Sequence, residues 1–339
     1  MKILVTGATG FLGRHVVAEA LSRGLAVVAC GRKIEKVKAR FPEARWVRVD
    51  GTQAESWKTL DPQVSGLHSV IHCAARSSPW GVEADFYRDN VLQTQLLLHW
   101  LKRHPEAFLV HVSTPSLYSN SDLPTDRPYE HREDDPLPRR FINAYAATKA
   151  EAEKCLLYSQ IPHVIFRPRA IVGSGDPSIM PRLIRLAQRG FLPRFSKADP
   201  RTDLTHVTDV ARVLVDAAMS RALARQRIYN VSSGEPVRLY AFLKEFFQGV
   251  GLPIRFVWLP QAWVRQGVRV LEGPWSRWLP KVEMPMTEMA IDLFTRDQWL
   301  NIDALCRDFS YVPRYSGSSL FDQLLTDYQE VVASVQRRF

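Results

Sequence analysis

The sequence predicts an α/β fold: a parallel sheet covered on both faces by helices, with a smaller, discontinuous C-terminal part built around it. Three observations carry this. Short β-branched apolar runs alternate with helical patterns through roughly the first 170 residues. Glycines punctuate the step from the first strand to the first helix. After about Gly173 the alternation loosens into helical pieces and a tryptophan-bearing stretch.

The elements follow in order. Ile3 to Val5 is a buried-type strand that ends in a glycine turn. From Phe11, Leu12, Val16, Val17, Ala20 and Leu21 recur at helical spacing until Gly24. Gly7, Gly10 and Gly13 therefore fall where a strand becomes a helix. Such a turn aims unpaired N–H groups and the positive end of a helix dipole at one spot, which suits the pyrophosphate of a dinucleotide. The competing reading is a glycine turn that only packs helix on strand. "LAVVACGR" is a second strand, "ARWVRVDG" a third ending at Asp50, "HSVIHCAA" a fourth and "AFLVHVSTP" a fifth. A long helical pattern, "EADFYRDNVLQTQLLLHWLKRH", separates the last two. "FINAYAATKAEAEKCLLYS" is another helix, followed by the strand "HVIFRPRAIVG".

"SNSDLPTDRPYEHREDDPLPRRF" breaks the rhythm. It is long, polar and proline-bearing, the character of a lid or of a disordered loop. "TDLTHV" and "RIYNVSS" return to the sheet. The expected division is residues 1–173 with returns near 202–234, and a mainly C-terminal part over 174–339.

Composition narrows the class. Hydrophobic content is 46%, and the four cysteines lie far apart without a CxxC pair, which argues against a disulfide framework and against a metal site. The first strand leaves no room for a signal peptide, and no apolar run reaches about 18 residues, so cytoplasm is the expected location. The net charge is +10. Between Arg182 and Lys281 stand 17 Lys and Arg against 7 Asp and Glu, which accounts for the surplus. That part could face an anionic substrate, a membrane surface or nucleic acid, or be simply solvated; no nucleic-acid motif accompanies it.

Tyr145 and Lys149 sit four apart on a predicted helix, hence on one face. A nearby ammonium would favour the phenolate and fit the tyrosine for proton transfer near neutral pH. A second such pair, Tyr240 and Lys244 in "YAFLK", shows that the spacing alone decides nothing. Context favours the first, about 30 residues after a strand that ends in the hydroxyls Ser113 and Thr114. Strand C-terminal ends carry the ligand site in a parallel sheet. Tyr240 reads as packing and Lys244 as solvated.

"TGATGFLG", "HCAA", "STPSLY", "YAATK", "RPRAIVGSGD" and "HVTDVA" occur in the order found in extended short-chain dehydrogenases/reductases, which the chain resembles over roughly its first 235 residues. The resemblance implies a Rossmann-type doubly wound sheet, a bound NAD(P) and a Ser/Thr–Tyr–Lys catalytic set. In that family the catalytic hydroxyl lies four residues before a tyrosine, here Thr114 before Tyr118. Ser113 becomes the adjacent structural candidate and Ser116 a turn or capping residue. Tyr145 would transfer the proton, Lys149 would lower its pKa and bind the nicotinamide ribose, and Thr114 would hold the substrate oxygen. Gly7, Thr9, Gly10, Phe11, Leu12 and Gly13 match the nucleotide turn, Asp50 an adenine contact, Ala74 and Ala75 the adenosine side, and Pro168 the nicotinamide amide. Asn90 matches a position that fixes the sheet or a proton path; an ordinary helix side chain is the alternative. Ser119 departs from the glycine many relatives carry after the tyrosine.

The second strand ends in Cys30 and Gly31 instead of the acid that holds the ribose hydroxyls of NAD. Arg14 and Arg32 suit a ribose 2′-phosphate, so NADP is expected, with NAD as the alternative. The tail "FTRDQWLNIDALCRDFSYVPRYSGSSLFDQ" is similar to the branch of 3β-hydroxysteroid dehydrogenases and 2-alkyl-3-ketoalkanoic acid reductases. That implies hydride transfer to the carbonyl, or from the secondary alcohol, of an apolar β-keto acid or sterol-like substrate. A sugar-nucleotide epimerase or dehydratase, or a non-catalytic NADP-sensing regulator, is the rival. The resemblance also implies a homodimer through Leu92–Leu98 and Ala144–Leu157. From Leu252 to Pro285, four tryptophans mix with basic residues, the pattern of a membrane contact or of a pocket cover.

Overall fold

The computed structural model describes residues 1–78, 80–119, 129–220, 226–279, 282, 284 and 286–336. Its centre is a seven-stranded, wholly parallel sheet. The strands are β1 (Lys2–Thr6), β2 (Ala26–Gly31), β3 (Arg45–Arg48), β4 (Leu67–His72), β5 (Phe108–Val112), β6 (His163–Pro168) and β7 (Arg227–Val231). They lie in the order β7-β6-β5-β4-β1-β2-β3. The order reverses at β1, whose neighbours are β2 and β4, so a crevice opens at its C-terminal end.

Side-chain alternation builds two cores from the same strands. Ile3, Val5, Val27, Ala29, Ile71, Val110, Val164 and Phe166 join one core with α1 (Phe11–Ser22) and with Val207–Met219, a helix from the later part of the chain. Leu4, Val28, Val70, Leu109 and Ile165 point the other way, onto α2 (Gln93–Leu101) and α3 (Ala144–Leu157). The apolar residues of α2 and α3 are spent largely inside the chain, as Leu97, Leu98, Trp100, Leu101 and Leu156 show. Leu157 and Tyr158 remain exposed.

A third core lies beyond the sheet. Val172, Met180 and Ile184 pack there with Tyr240, Leu243, Phe246 and Phe247 of α4 (Leu239–Gly249) and with Leu320, Leu324 and Tyr328 of the C-terminal helix. The polar loop is partly ordered by pairing: Tyr129–His131 runs parallel to Gln298–Leu300. Residues 120–128, including Pro124 and Pro128, lie outside the described residues, as do Pro280, Lys281 and Pro285. No helix among the described residues is long and apolar enough to cross a membrane.

One ion pair joins these layers. Arg167, near the end of β6, donates to both carboxylate oxygens of Glu153 on α3, at 2.9 and 2.6 Å. Both side chains are buried. Arg167 also donates to the Tyr118 hydroxyl at 2.7 Å, and that hydroxyl donates to Asn230 on β7 at 2.9 Å. Removing one partner of such a pair leaves a charge stranded in the interior. Glu153→Ala should lower the unfolding free energy by about 3–5 kcal/mol, read from urea denaturation. A loss below about 1 kcal/mol would mean the pair is dispensable.

Candidate active site

The glycine turn closes tightly because its glycines have no room for a side chain. Gly7 sits at φ +64°, and a Cβ there would meet the Ala74 backbone at 2.7 Å. A Cβ on Gly13 would fall 2.1 Å from the Gly7 carbonyl oxygen. Together they let α1 start directly behind the end of β1 while β4 passes beside it. The result is a groove of about 530 Å³ along the C-terminal ends of β1, β2, β3 and β4.

Gly7, Thr9 and Gly10 line this groove, with Gly31 and Arg32 from β2 and Ala74 and Ala75 after β4. Phe11, Leu12 and Gly13 form the first turn of α1 and are not among the lining residues. Asp50 lies between two lining residues, Val49 and Gly51. Its Oδ1 is engaged locally, accepting from the Thr52 amide at 3.1 Å and hydroxyl at 2.8 Å. Arg14 is not brought to the groove. Its guanidinium donates to the carbonyls of Gly175 at 2.7 Å and Ser174 at 3.3 Å, anchoring α1 to the loop after Val172. Lys33, which the sequence reading passed over, lines the groove beside Arg32. The signal was there: two adjacent cations follow a strand end that lacks an acid.

The groove fits a dinucleotide by its own chemistry. A side-chain-free turn faces it, the N-terminus of α1 lies behind that turn, and no carboxylate stands at the end of β2. Arg32 and Lys33 give its β2 end a positive character.

Three proton-handling residues converge at the end of β5. Thr114 takes an extended backbone and caps the short 3₁₀ turn Pro115–Tyr118, accepting from the Ser116 amide at 3.2 Å. It also donates to the Ser116 hydroxyl at 3.1 Å. Tyr145, in the first turn of α3, turns its phenol toward the Thr114 side chain, and its ring lies 6.4 Å from that of Phe86. Burial raises the phenol pKa, and the Thr114 hydroxyl works against that rise. Lys149, one turn further, is fully enclosed. Its ammonium donates to the Val112 carbonyl at 2.7 Å and to His111 Nε2 at 3.1 Å.

Burial pulls Lys149 down to about 8, with Glu153 opposing the shift. Lys149 is held on the β5 strand end by the Val112 carbonyl. Burial also keeps His111 and His72 neutral, so His111 can accept from Lys149. His72 Nδ1 meets the Thr6 hydroxyl at 2.6 Å, and the two imidazoles lie 5.3 Å apart. This histidine row was not read from the sequence.

Neighbouring residues fix the site. Asn90 lies in a π-helical turn, Tyr87–Leu92, a distortion often found at functional sites. Its Oδ1 accepts from the Arg76 amide at 2.7 Å, and its Nδ2 donates to Thr148 on α3 at 3.0 Å. Pro168 ends β6, paired with Val231. Ser119 sits at φ −63°, a backbone any residue adopts, so its place after Tyr118 does not need glycine. Ser113 is buried, and its hydroxyl has no partner among the described residues.

Arg169, directly after Pro168, is buried too. Its guanidinium donates to the Thr202 hydroxyl at 3.4 Å and interacts with the Asp203 charge, and its Nε has no hydrogen-bond partner among the described residues. Burial pushes the nearby Asp203 up to about 6 despite the Arg169 charge. The second Tyr–Lys pair stands apart: Tyr240 accepts from the Phe195 amide at 3.1 Å and donates to the Phe294 carbonyl at 2.7 Å, while Lys244 is exposed.

Comparison with known proteins places this geometry. Residues 3–232 match the model of the NAD dependent epimerase/dehydratase family. A Stigmatella aurantiaca protein, 4-hydroxy-2-methyl-3-oxo-4-farnesyl-3,4-dihydroquinoline-1-oxide ketoreductase, is 30% identical over 96% of both chains. A 2-alkyl-3-oxoalkanoate reductase of Stenotrophomonas maltophilia is 29% identical over 93% of this chain and 96% of its own. Among solved structures, the UDP-glucuronic acid 4-epimerase of Bacillus cereus in complex with NAD superposes with a TM-score of 0.74 at 20% identity, covering 99% and 98% of the two chains. The groove, the Thr114–Tyr145–Lys149 constellation and these matches agree: the chain belongs to the NAD-dependent epimerase/dehydratase family, within the extended short-chain dehydrogenases/reductases.

Proposed function

We propose that this protein is an NADP-preferring oxidoreductase that interconverts the 3-carbonyl and 3-hydroxyl of an apolar β-keto acid. The observation that carries the reading is the juxtaposition of Thr114 and Tyr145, with Lys149 one turn behind, beside a groove suited to a dinucleotide. In the reductive direction the Tyr145 hydroxyl gives its proton to the carbonyl oxygen, and Thr114 holds that oxygen by its hydroxyl. Lys149 keeps positive charge behind the phenol and offers a donor to a ribose. A bound nicotinamide supplies or accepts the hydride.

One observation favours an acid as the substrate. The Stenotrophomonas maltophilia relative is named for reducing a 2-alkyl-3-oxoalkanoate. The assembly is proposed to be a homodimer through α2 and α3, on resemblance.

Tyr145→Phe removes only the hydroxyl. Turnover of a 2-alkyl-3-oxo acid with NADPH should fall by about 10²–10⁴-fold while nucleotide binding survives. Tyr240→Phe gives the opposite pattern: it strands a buried amide and carbonyl, costing about 1–3 kcal/mol of stability, and leaves the rate within about twofold. Full activity of Tyr145→Phe would refute the mechanism.

The NADP preference rests on Arg32 and Lys33. Arg32→Ala should weaken NADPH by about tenfold or more, measured by fluorescence titration, with NADH nearly unchanged. Equal affinity of the unaltered protein for both nucleotides would contradict it.

A further inference from the structure

The helix α5 (Gln261–Trp278) has a wide apolar arc, part turned inward and part turned outward. Its inner side carries Val264, Val268 and Trp275, which pack with Met284, Met286 and Ile291. Arg265 pins the same side to Asp292 at 2.8 Å. The outer side carries Trp263, Val270, Pro274 and Trp278, which recur every three or four residues or twice that and so form one stripe. Trp263 is 79% exposed, Trp278 78%, Val270 61% and Leu271 52%. The stripe continues into the chain before the helix, where Val257, Trp258 and Leu259 are exposed, and onto Phe191 of the paired strand.

A pocket cover would turn its aromatic rings inward. Here the inward positions are already filled, and the largest rings face out. So much exposed apolar surface in one patch marks a docking face.

Charge identifies what docks. Arg185, Arg189 and Arg255 are exposed around the patch, while Arg269 is paired with Glu288 at 2.7 Å. Glu272, the acidic residue of α5, is half-buried and lies away from the stripe. A second copy on a two-fold axis would set this basic patch against itself, since such an interface pairs a surface with its own image. An anionic surface complements it. Tryptophan beside arginine suits the boundary between headgroups and acyl chains, where an indole buries its ring and keeps its N–H wet.

We propose that the outward face of α5, with the Val257–Leu259 segment, docks the protein onto an anionic lipid bilayer. The helix lies in the plane of the interface, and Trp258, Trp263 and Trp278 enter it. The proposal is independent of the substrate and of turnover.

Flotation of the full chain with vesicles tests it. The protein should float with vesicles containing phosphatidylglycerol, and at least about tenfold less with phosphatidylcholine alone, with high salt weakening the binding. A Trp263→Ser/Trp278→Ser variant should stay at the bottom while keeping its NADPH affinity and melting temperature. Leu271→Glu, which adds an acid at the edge of the stripe, should also lose flotation. Protein that stays at the bottom with both vesicle types overturns the proposal. So do altered chains that float as well as the original. A dimer that falls to a monomer in the tryptophan variant, with no flotation in either, assigns the face to a second copy and overturns it too.

Discussion

The buried pair of Arg167 and Glu153 is the constraint on which the site depends. Two charges are taken out of water at a cost of several kcal/mol each, and the cost is recovered only through complete hydrogen bonding. Here the carboxylate meets the guanidinium through both oxygens, and the guanidinium also reaches the Tyr118 hydroxyl. The bonds end on two different elements. Glu153 is on the helix that carries Tyr145 and Lys149, and Tyr118 ends the turn that Thr114 begins. The pair thus fixes the donor helix relative to the hydroxyl-bearing turn, the distance that proton transfer requires. Glu153 also supports the charge on Lys149, one turn away.

The rest of the architecture brings a nucleotide to that fixed point. Sheet order places the crevice at β1, and the missing side chains at Gly7 and Gly13 let strand, helix and the β4 end approach one another. Asn90 connects the two regions, joining the loop after β4 to Thr148 on the catalytic helix. The groove and the Thr114–Tyr145–Lys149 cluster are therefore joined through buried polar groups, which have few alternative arrangements.

Much of this was legible in the sequence because it is local and periodic. Strand alternation, the glycine turn and the four-residue spacing of Tyr145 and Lys149 are short-range signals. What escaped depends on distant partners. Nothing in the sequence linked Arg167 to Glu153, Tyr118 and Asn230. Arg14 and Arg32 looked equivalent beside a nucleotide turn, yet Arg14 is held by the carbonyls of a loop some 160 residues later. Nothing local in the sequence ties the Lys149 ammonium to Val112 and His111. The tryptophan-rich segment gave its composition but not its direction, because the apolar arc of α5 is wide and only packing shows which part of it turns inward. The Tyr240–Lys244 pair was told apart by context, and the tyrosine is indeed spent on two backbone groups.

The central claim is net hydride transfer, as opposed to the transient oxidation and return of hydride that an epimerase performs. The most direct measurement follows the hydride. NADPH deuterated in turn on each face of its nicotinamide C4 is incubated with a 2-alkyl-3-oxo acid, and the hydroxy acid formed is analysed by mass spectrometry. Stoichiometric oxidation of NADPH, with one deuterium at C3 of the product from one of the two labelled forms, is the expected result. A product without deuterium from either form, or no net consumption of NADPH during substrate conversion, would contradict the account.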